Sequence, residues 1–450
     1  MKRVFRQIFD SHKFKVFLWM VLEKGASIGM GFARYKALAL VTGAAGLGLF
    51  GILQSIQSVM STLSTVSLSE TATGYIAKKR SSGIAVRTRS ALTISLGFSL
   101  GVCGAVLTFS IANFLPISSE ASLTFAQLSL LALGVFVAPV AAAQMAILVA
   151  LGKLKQVVSV GFFGTTLSTA LVILLLSMLG DRSIVWAVVS TPLMGVVLGS
   201  AVLGSVMLPN LSLLFRNWRQ ASSLLKLGSL SMLASVCNPL GQFILRAFLA
   251  KYQTLEDVGF FVGAFVLGQY LSLVFVAALR IDFFPKYAAS VSVDEKSYIL
   301  NDRVKFTMVM LGISALPVAL SIPFILTLVF DDSFIEAKNL AYCFAYSEMI
   351  RLFSQIFVYI FLVQRQGIRL LISSLIYNLT FVGLSIILMS AENLMMIGVA
   401  AIAANVVYLF TLMVFFHCSS STKGQKIEPY TAIIAICVLL FSAAVFLLLA

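Results

Sequence analysis

Apolar stretches of about 20 residues follow one another along almost the whole chain, with short polar segments between them. About 20 apolar residues in a helix span the hydrocarbon core of a bilayer. The pattern predicts twelve transmembrane helices and a thirteenth at the C-terminus, at residues 16–41, 47–70, 91–113, 122–150, 157–179, 184–207, 227–250, 259–281, 306–330, 339–363, 370–389, 395–416 and 431–450. The predicted fold class is therefore an all-α integral membrane protein.

Composition supports this class, and charge adds an orientation. Hydrophobic residues make up 60% of the chain and charged residues only 11%, against roughly 25% charged residues in soluble domains. If the N-terminus is cytoplasmic, most basic loop residues lie on its side, and the opposite loops hold Arg182, Lys251 and Lys338. This bias follows the positive-inside rule and predicts a multi-pass protein with a cytoplasmic N-terminus. The net charge of +15 is spread over separate loops, which argues against a nucleic-acid partner.

The chain is predicted to have two halves joined by a surface helix. In the joining segment, Leu211, Leu214, Phe215, Trp218 and Leu225 share one helical face, which is typical of an interfacial amphipathic helix. The predicted divisions are an N-terminal six-helix half at 1–208, the linker at 209–226, a C-terminal six-helix half at 227–416, and a cytoplasmic loop with the extra apolar helix at 417–450.

The two halves open with similar segments, "RYKALALVTGAAGLGLF" at 34–50 and "RAFLAKYQTLEDVGFF" at 246–261. Each has an Arg near the outer end of a first helix, then a short turn, then Gly, an apolar residue and Phe. Six helices separate the copies, so both point the same way across the membrane. The prediction is a pseudo-twofold axis along the membrane normal and a cavity between the halves, as in one recurring transporter plan.

Polar residues recur every three or four positions on five predicted helices, and so form stripes on apolar cylinders. The stripes are Lys24, Ser27, Gly31 and Arg34 on the first helix; Gln54, Ser58, Ser61, Thr65 and Ser69 on the second; Ser231, Ser235, Asn238, Gln242 and Arg246 on the seventh; Gln269, Ser272 and Arg280 on the eighth; and Glu348, Arg351, Gln355 and Tyr359 on the tenth. They predict a hydrated cavity lined by these helices.

The charge of this cavity is predicted to be positive. Five basic residues (Lys24, Arg34, Arg246, Arg280 and Arg351) against two acidic ones (Glu23 and Glu348) give +3, so the ligand is predicted to be anionic. The predicted substrate-binding residues are Lys24, Arg34, Arg246, Arg351, Asn238, Gln242 and Gln355. In an alternative interpretation, Glu348 and Arg351 form a self-satisfied ion pair that only packs helices. No cofactor or metal is predicted, since His12 and His417 lie at opposite ends of the sequence and no phosphate-binding loop is present.

Three segments carry a family resemblance: "ALALVTGAAGLGLFGILQSI" at 37–56, "FILRAFLAKYQTLEDVGFF" at 243–261 and "YSEMIRLFSQIFVYIFLVQRQGIRLL" at 346–371. They resemble the polysaccharide-type flippases of the multidrug/oligosaccharidyl-lipid/polysaccharide (MOP) exporter superfamily, and most of all the flippases of O-antigen and enterobacterial common antigen. The resemblance extends over residues 10–416. It implies a MATE-like fold, location in the bacterial inner membrane and a role in surface polysaccharide biosynthesis, such as that of lipopolysaccharide.

The resemblance also implies an activity, which is translocation of undecaprenyl-pyrophosphate-linked oligosaccharide by alternating access, coupled to an ion gradient. By position, Lys24, Arg246 and Arg351 match basic residues of the family, and Glu348 matches an acidic one and is assigned to ion coupling. The implied partners are the lipid-linked glycan, membrane lipids and polysaccharide polymerase machinery. An exporter of drugs or small metabolites is the main alternative. A membrane enzyme acting on lipid-linked sugars is disfavoured, because the outer loops are too short to build a catalytic site.

Overall fold

The computed structural model describes residues 12–77, 83–112, 124–204, 209–279, 283–290, 292–364, 366–389, 393–419, 438 and 442–446. Within these ranges the regular structure is helical, mostly α-helix with short 3₁₀ segments and π-helical residues at 279 and 283, and there is no strand, which confirms the predicted fold class. The chain forms two compact units, Met1–Phe243 (unit 1) and Ile244–Ala450 (unit 2). The division between them lies inside a helix. The predicted divisions at 208 and 226 stay predictions.

The helices of unit 1 match most of the predicted spans. They are α1 (His12–Thr65), α2 (Leu68–Ala77), α3 (Gly83–Ala112), α4 (Phe125–Ala150), α5 (Leu154–Leu179), α6 (Ile184–Leu203), α7 (Leu211–Arg216) and the first part of α8 (Trp218–Tyr252). Helix α1 contains the first predicted span and most of the second, which was predicted to extend to residue 70, and a kink at Gly43 (φ 67°, ψ −170°) separates them. Glycine adopts this positive φ without steric cost, so the kink forms at the turn that the sequence predicts.

A second break, between α1 and α2, was not predicted. Val66 and Ser67 have φ values of 46° and 49°, a left-handed conformation that is uncommon for non-glycine residues and rare for a β-branched one. Gly228 of α8 lies directly against this break, because a Cβ atom added to it would stand 2.1 Å from the carbonyl oxygen of Val66. The absence of a side chain at Gly228 therefore allows α8 to approach the broken backbone.

The core of unit 1 forms where α2, α3, α4 and the α7–α8 segment meet. Leu214, Ala221 and Leu224 from that segment are buried in this core, whereas Phe215 and Trp218 are exposed. Helices α5 and α6 are joined by a 3₁₀ turn, Gly180–Ser183, and pack against each other and against α1 and α4. One part of the apolar face of the joining segment is thus buried in the core of unit 1, and the other part lies on the surface.

Unit 2 is built around one central helix. Its helices are the end of α8, α9 (Leu255–Ala278), α10 (Phe284–Ala289), α11 (Val293–Val329), α12 (Lys338–Val363), α13 (Gly367–Leu388) and α14 (Met395–His417). Helix α12 packs against α9, α11 and α14. Within the span that contains α12, 67% of the most apolar stretch is buried, against 22% for α13. A polar residue on α12 is therefore held inside the protein.

The outer surface is apolar in the way a lipid-facing surface must be. On α11 the exposed large apolar residues recur every three or four positions, at Phe306, Val309, Ile313, Leu316, Leu320, Phe324 and Leu328. Among the described residues, nine helical segments are long and apolar enough to cross a membrane. Two of them, Gly25–Ala77 and Lys155–Leu203, have 53 and 49 residues, enough for two crossings each. The chain is a multi-pass membrane protein.

The predicted thirteenth helix at 431–450 lies mostly outside the described residues. Residues 442–446 are helical, and the ring of Phe446 lies 6.1 Å from that of Tyr342 and 6.0 Å from that of Tyr346 on α12. This short described part therefore packs on the central helix of unit 2.

Candidate functional site

Glu348 and Arg351 form an ion pair on the central helix of unit 2. Nε of Arg351 donates a hydrogen bond to Oε2 of Glu348 at 2.9 Å, and Nη2 forms an ion-pair contact with the same oxygen at 2.8 Å. Glu348 is only 7% exposed, whereas the Arg351 side chain keeps 24% of its surface. This geometry is the one expected if Glu348 and Arg351 form a self-satisfied ion pair, which is the alternative interpretation of the sequence. It leaves the guanidinium, and not the carboxylate, as the accessible end.

Polar side chains from two neighbouring helices surround this pair. Tyr377 of α13 and Tyr408 of α14 lie close enough to Arg351 to interact with its charge, and their rings meet edge to face at 5.6 Å. Asn405 of α14 donates from Nδ2 to Oγ of Ser347 at 2.6 Å and to the carbonyl oxygen of Ala401 at 3.2 Å. We call Ser347, Glu348, Arg351, Tyr377, Asn405 and Tyr408 the α12 polar cluster.

Sequence reasoning missed the α13 and α14 members of this cluster. The predicted lining used the first, second, seventh, eighth and tenth helices, so Tyr377, Asn405 and Tyr408 on the eleventh and twelfth were not singled out. A signal was present, because Asn405 interrupts the apolar run "GVAAIAANVVYLF" and is 1% exposed. An amide in such a run is expected to face other helices and hydrogen-bond to them.

Arg246 is the second buried cation of unit 2. It lies near the end of α8 and is only 3% exposed. Its guanidinium carbon is 5.9 Å from the ring centroid of Phe261 and 6.0 Å from that of Phe265, both on α9. These distances are within the range of cation–π interaction, which stabilises a guanidinium that has lost part of its hydration. Two aromatic faces thus help to keep a positive charge inside the protein.

Arg34 is held in unit 1 by side chains of α5 and α6. It donates to Oγ of Ser168 at 2.5 Å, to Oγ1 of Thr191 at 2.7 Å, and at 3.3 Å to Oγ1 of Thr169 and to the carbonyl oxygen of Ala187. These four acceptors are hydroxyl or carbonyl oxygens, which solvate the guanidinium inside the helix packing. The predicted stripe on the first helix therefore meets hydroxyl groups of two helices that were absent from the predicted lining.

The other predicted site residues divide between the two units. In unit 1, Nε2 of Gln242 donates to Oδ1 of Asn238 at 3.2 Å, one turn apart on α8 and on either side of Pro239. In unit 2, Gln355 is half-buried on α12, one turn after Arg351. The side chain of Lys24 lies outside the described residues, as do those of Glu23 and Arg280.

Within the described ranges, no group of three His, Cys, Asp or Glu side chains is placed to hold a metal ion.

Chemically, the described cations suit the binding of an anion. Arg34 is bonded to hydroxyl and carbonyl oxygens, Arg246 lies over two aromatic rings, and Arg351 is paired with one carboxylate. Guanidinium groups bind phosphate oxygens through paired N–H donors, and burial strengthens such bonds.

Comparison with solved structures identifies the fold. The structure matches an inward-facing multidrug resistance MATE family transporter of the MOP superfamily with a TM-score of 0.67 at 14% identity, over 93% of this chain and 95% of that chain. It matches the lipid II flippase MurJ in an inward closed conformation with a TM-score of 0.64 at 12% identity, over 97% and 98%. The chain has the MATE transporter fold. This confirms the MATE-like architecture that the sequence predicts.

A further match shows that proteins with this fold differ in the charge of their sites. A MOP superfamily transporter from Pyrococcus furiosus is described by a reversed polarity of its binding pocket that suggests a different function, and it matches with a TM-score of 0.58 at 15% identity, over 98% of both chains. No protein-family model matches the sequence, and no curated protein matches it. The fold is therefore shared at low identity, and function has to be argued from the site.

Proposed function

We propose that this protein is a flippase that moves an oligosaccharide linked to undecaprenyl pyrophosphate across the bacterial inner membrane. In this proposal the N-terminus is cytoplasmic, and the halves 1–208 and 227–416, joined by the linker 209–226, alternate access to a shared site. The flipped product is an O-antigen-like repeat unit, which a polysaccharide polymerase then extends. The protein itself catalyses no covalent step.

The observation that carries the proposal is the burial of cationic side chains in membrane-spanning helices. Arg246 is 3% exposed on α8, and Arg351, whose side chain keeps 24% of its surface, lies on α12, in a span whose most apolar stretch is 67% buried. A charge in such a place is costly, so it usually faces a substrate or ion pathway. A pyrophosphate group supplies the matching negative charge, while Asn238, Gln242 and Gln355 offer amides to sugar hydroxyls. Lys24 and Arg34 extend the cationic set.

Coupling to an ion gradient is assigned to Glu348. Its carboxylate holds Arg351 through a hydrogen bond and an ion-pair contact, and protonation would weaken both. A proton that binds Glu348 would therefore release the guanidinium to an anionic ligand, and the return of the pair would expel the ligand. Each charge that crosses the membrane gains about 2.3 kcal/mol per 100 mV, which is sufficient to bias such a two-state exchange.

An exporter of drugs or small metabolites is the second candidate, and the likeness to multidrug MATE transporters favours it. The two candidates differ in the charge of the cargo. Cationic drugs would be repelled by Arg34, Arg246 and Arg351, whereas a pyrophosphate would be attracted. The charge of these side chains is thus the property to test.

The test uses proteoliposomes that contain undecaprenyl-pyrophosphate-linked fluorescent oligosaccharide, with a membrane-impermeant glycosidase to report the accessible leaflet. Translocation is expected for the native protein and is expected to fall at least tenfold in Arg246→Gln and Arg351→Gln, because each removes a charge-assisted contact of about 1.5–3 kcal/mol. Lys replacements should retain part of the activity. Arg303→Gln is the matched control, since Arg303 also lies over a phenylalanine, Phe306, at 5.3 Å.

Two outcomes would contradict the proposal. If both neutral variants translocate the glycan lipid at the native rate, the cations do not bind the pyrophosphate. If the native protein leaves the glycan lipid in place but expels a cationic dye from the same vesicles, the drug-exporter candidate replaces the flippase.

A further inference from the structure

A cavity of about 550 Å³ opens at one end of unit 2. It lies where α8 and α13 end and where α9 and α14 begin. This volume falls within the roughly 300–1,000 Å³ of small-ligand sites. The five lining residues used below are Phe248, Tyr252, Gln253, Asp257 and Asn393.

One wall of the cavity is aromatic and open. Phe248 and Tyr252 are one turn apart on α8, with ring centroids 4.5 Å apart and planes inclined by 41°. Tyr252 is 61% exposed. Much of its apolar ring surface is therefore open to contact with a ligand. A pyranose ring has one face of C–H groups that packs on such a ring, while its hydroxyl groups remain free for hydrogen bonds.

The opposite side of the cavity carries polar groups whose orientation is fixed by the backbone. Oδ2 of Asp257 accepts from the main-chain N–H of Thr254 at 3.1 Å and from its Oγ1 at 2.6 Å, which leaves Oδ1 as an acceptor. Oδ1 of Asn393 accepts from the N–H of Met395 at 2.9 Å, which leaves the NH₂ group as a donor. Gln253 adds an amide with both functions.

The charges at the cavity are balanced. Asp257 is the one carboxylate among its described lining residues, and Nζ of Lys251 lies 5.2 Å from the ring centroid of Tyr252. The cavity therefore has no net charge that would favour an ion, whereas a neutral polyhydroxylated ligand finds an aromatic ring, an acceptor and donors that are already positioned.

We propose that this cavity binds one or more neutral pyranose rings. The proposal rests on the proposed function, in which the protein carries a glycan. The cavity lies at the end of α8 opposite Arg219 and Lys226, hence on the less basic face, which the positive-inside rule places outside the cell. It would therefore hold sugar rings of the glycan at the face where they emerge.

The experiment uses the full-length protein in nanodiscs and saturation-transfer NMR with methyl glycosides of glucose, galactose and N-acetylglucosamine. At least one glycoside is expected to bind with ring C–H protons closest to the protein. Binding should weaken about fivefold to tenfold in Tyr252→Ala, which loses the aromatic face, and remain in Tyr252→Phe. Gln253→Ala is a second variant, expected to weaken binding by loss of hydrogen bonds. Tyr298→Ala is the matched control, since Tyr298 is 74% exposed on α11.

Two results would overturn the proposal: no glycoside binds, or Tyr252→Ala and Gln253→Ala both bind as the native protein does. Translocation of lipid-linked glycan is measured on the same preparations. Translocation without glycoside binding rejects the cavity as a sugar site and leaves the flippase standing. Glycoside binding that depends on Tyr252, without any translocation, supports the sugar site and contradicts the proposed function.

Discussion

The Glu348–Arg351 pair allows helix packing and ion coupling to be separated by measurement. Removing one partner of a buried ion pair costs about 3–5 kcal/mol, because the other charge is left without compensation. Arg351 keeps 24% of its side-chain surface, so water offsets part of this loss. We therefore expect Glu348→Gln, which keeps the volume of the side chain, to lower the free energy of unfolding by about 3 kcal/mol.

The double variant Glu348→Gln/Arg351→Gln leaves no unpaired charge, and its two amides can bond to each other. Its stability should lie within about 1 kcal/mol of the native protein, although each single variant is clearly weaker. The measurement is unfolding by SDS in mixed micelles, followed by circular dichroism, for all four members of the cycle. A coupling energy below about 0.5 kcal/mol would show that the pair is not a strong stabilising contact.

Transport by the same four proteins decides what the pair is for. If it only packs helices, gradient-driven accumulation of lipid-linked glycan should follow stability and return in the double variant. If Arg351 binds the pyrophosphate, the double variant should be stable yet inactive. If Glu348 couples transport to protons, Glu348→Gln, which keeps Arg351, should bind glycan lipid without accumulating it under a pH gradient. Full accumulation by Glu348→Gln would exclude this carboxylate as the coupling group.

Three further predictions concern folding and orientation. Arg34→Lys should lower the free energy of unfolding by about 1–2 kcal/mol, since an ammonium group cannot reach all the acceptors on α5 and α6; unchanged stability in micelles would contradict this. Gly228→Ala should lower the free energy of unfolding by about 1–3 kcal/mol, because the added methyl meets the Val66 carbonyl at 2.1 Å. Gly74→Ala is the control in the same thermal assay, since Gly74 has open space around it. A cysteine at Lys251, in a cysteine-free chain, should react with impermeant maleimide on intact cells; protection there would reverse the proposed orientation.

Much of the helix layout was predictable because each apolar run is long enough to identify a membrane-spanning helix without knowledge of its neighbours. The boundaries of α5 and α6 and the turn between them follow from where the apolar runs stop, and the bend at Gly43 follows from a glycine-containing turn. The break at Val66 and Ser67 was not predictable, since both residues favour other conformations. Such a break depends on a partner distant in sequence, here the small surface of Gly228 on α8.

The candidate site was harder to predict than the fold, because stripes on single helices do not reveal which helices meet. The stripe through Glu348 and Arg351 was visible, but its contact with Tyr377 and Asn405 depends on how α13 and α14 pack against α12. One physical signal was available. The span that contains α12 is less hydrophobic than α13, yet more of it is buried. In a lipid environment the less hydrophobic helix is the one expected to be buried in the protein.

In water the most apolar helix of a domain goes to its centre, whereas in a bilayer the lipid accepts apolar surface and the protein interior has to receive the polar groups. The least apolar of a set of spans is then the best candidate for the central helix, and its polar stripe for the functional face. In unit 2 this rule selects α12 over α13, and with it Glu348 and Arg351. The same rule predicts that replacing exposed Leu379 of α13 by Ser should disturb transport far less than replacing buried Ser347 of α12 by Leu, which would remove one of the two acceptors of Asn405.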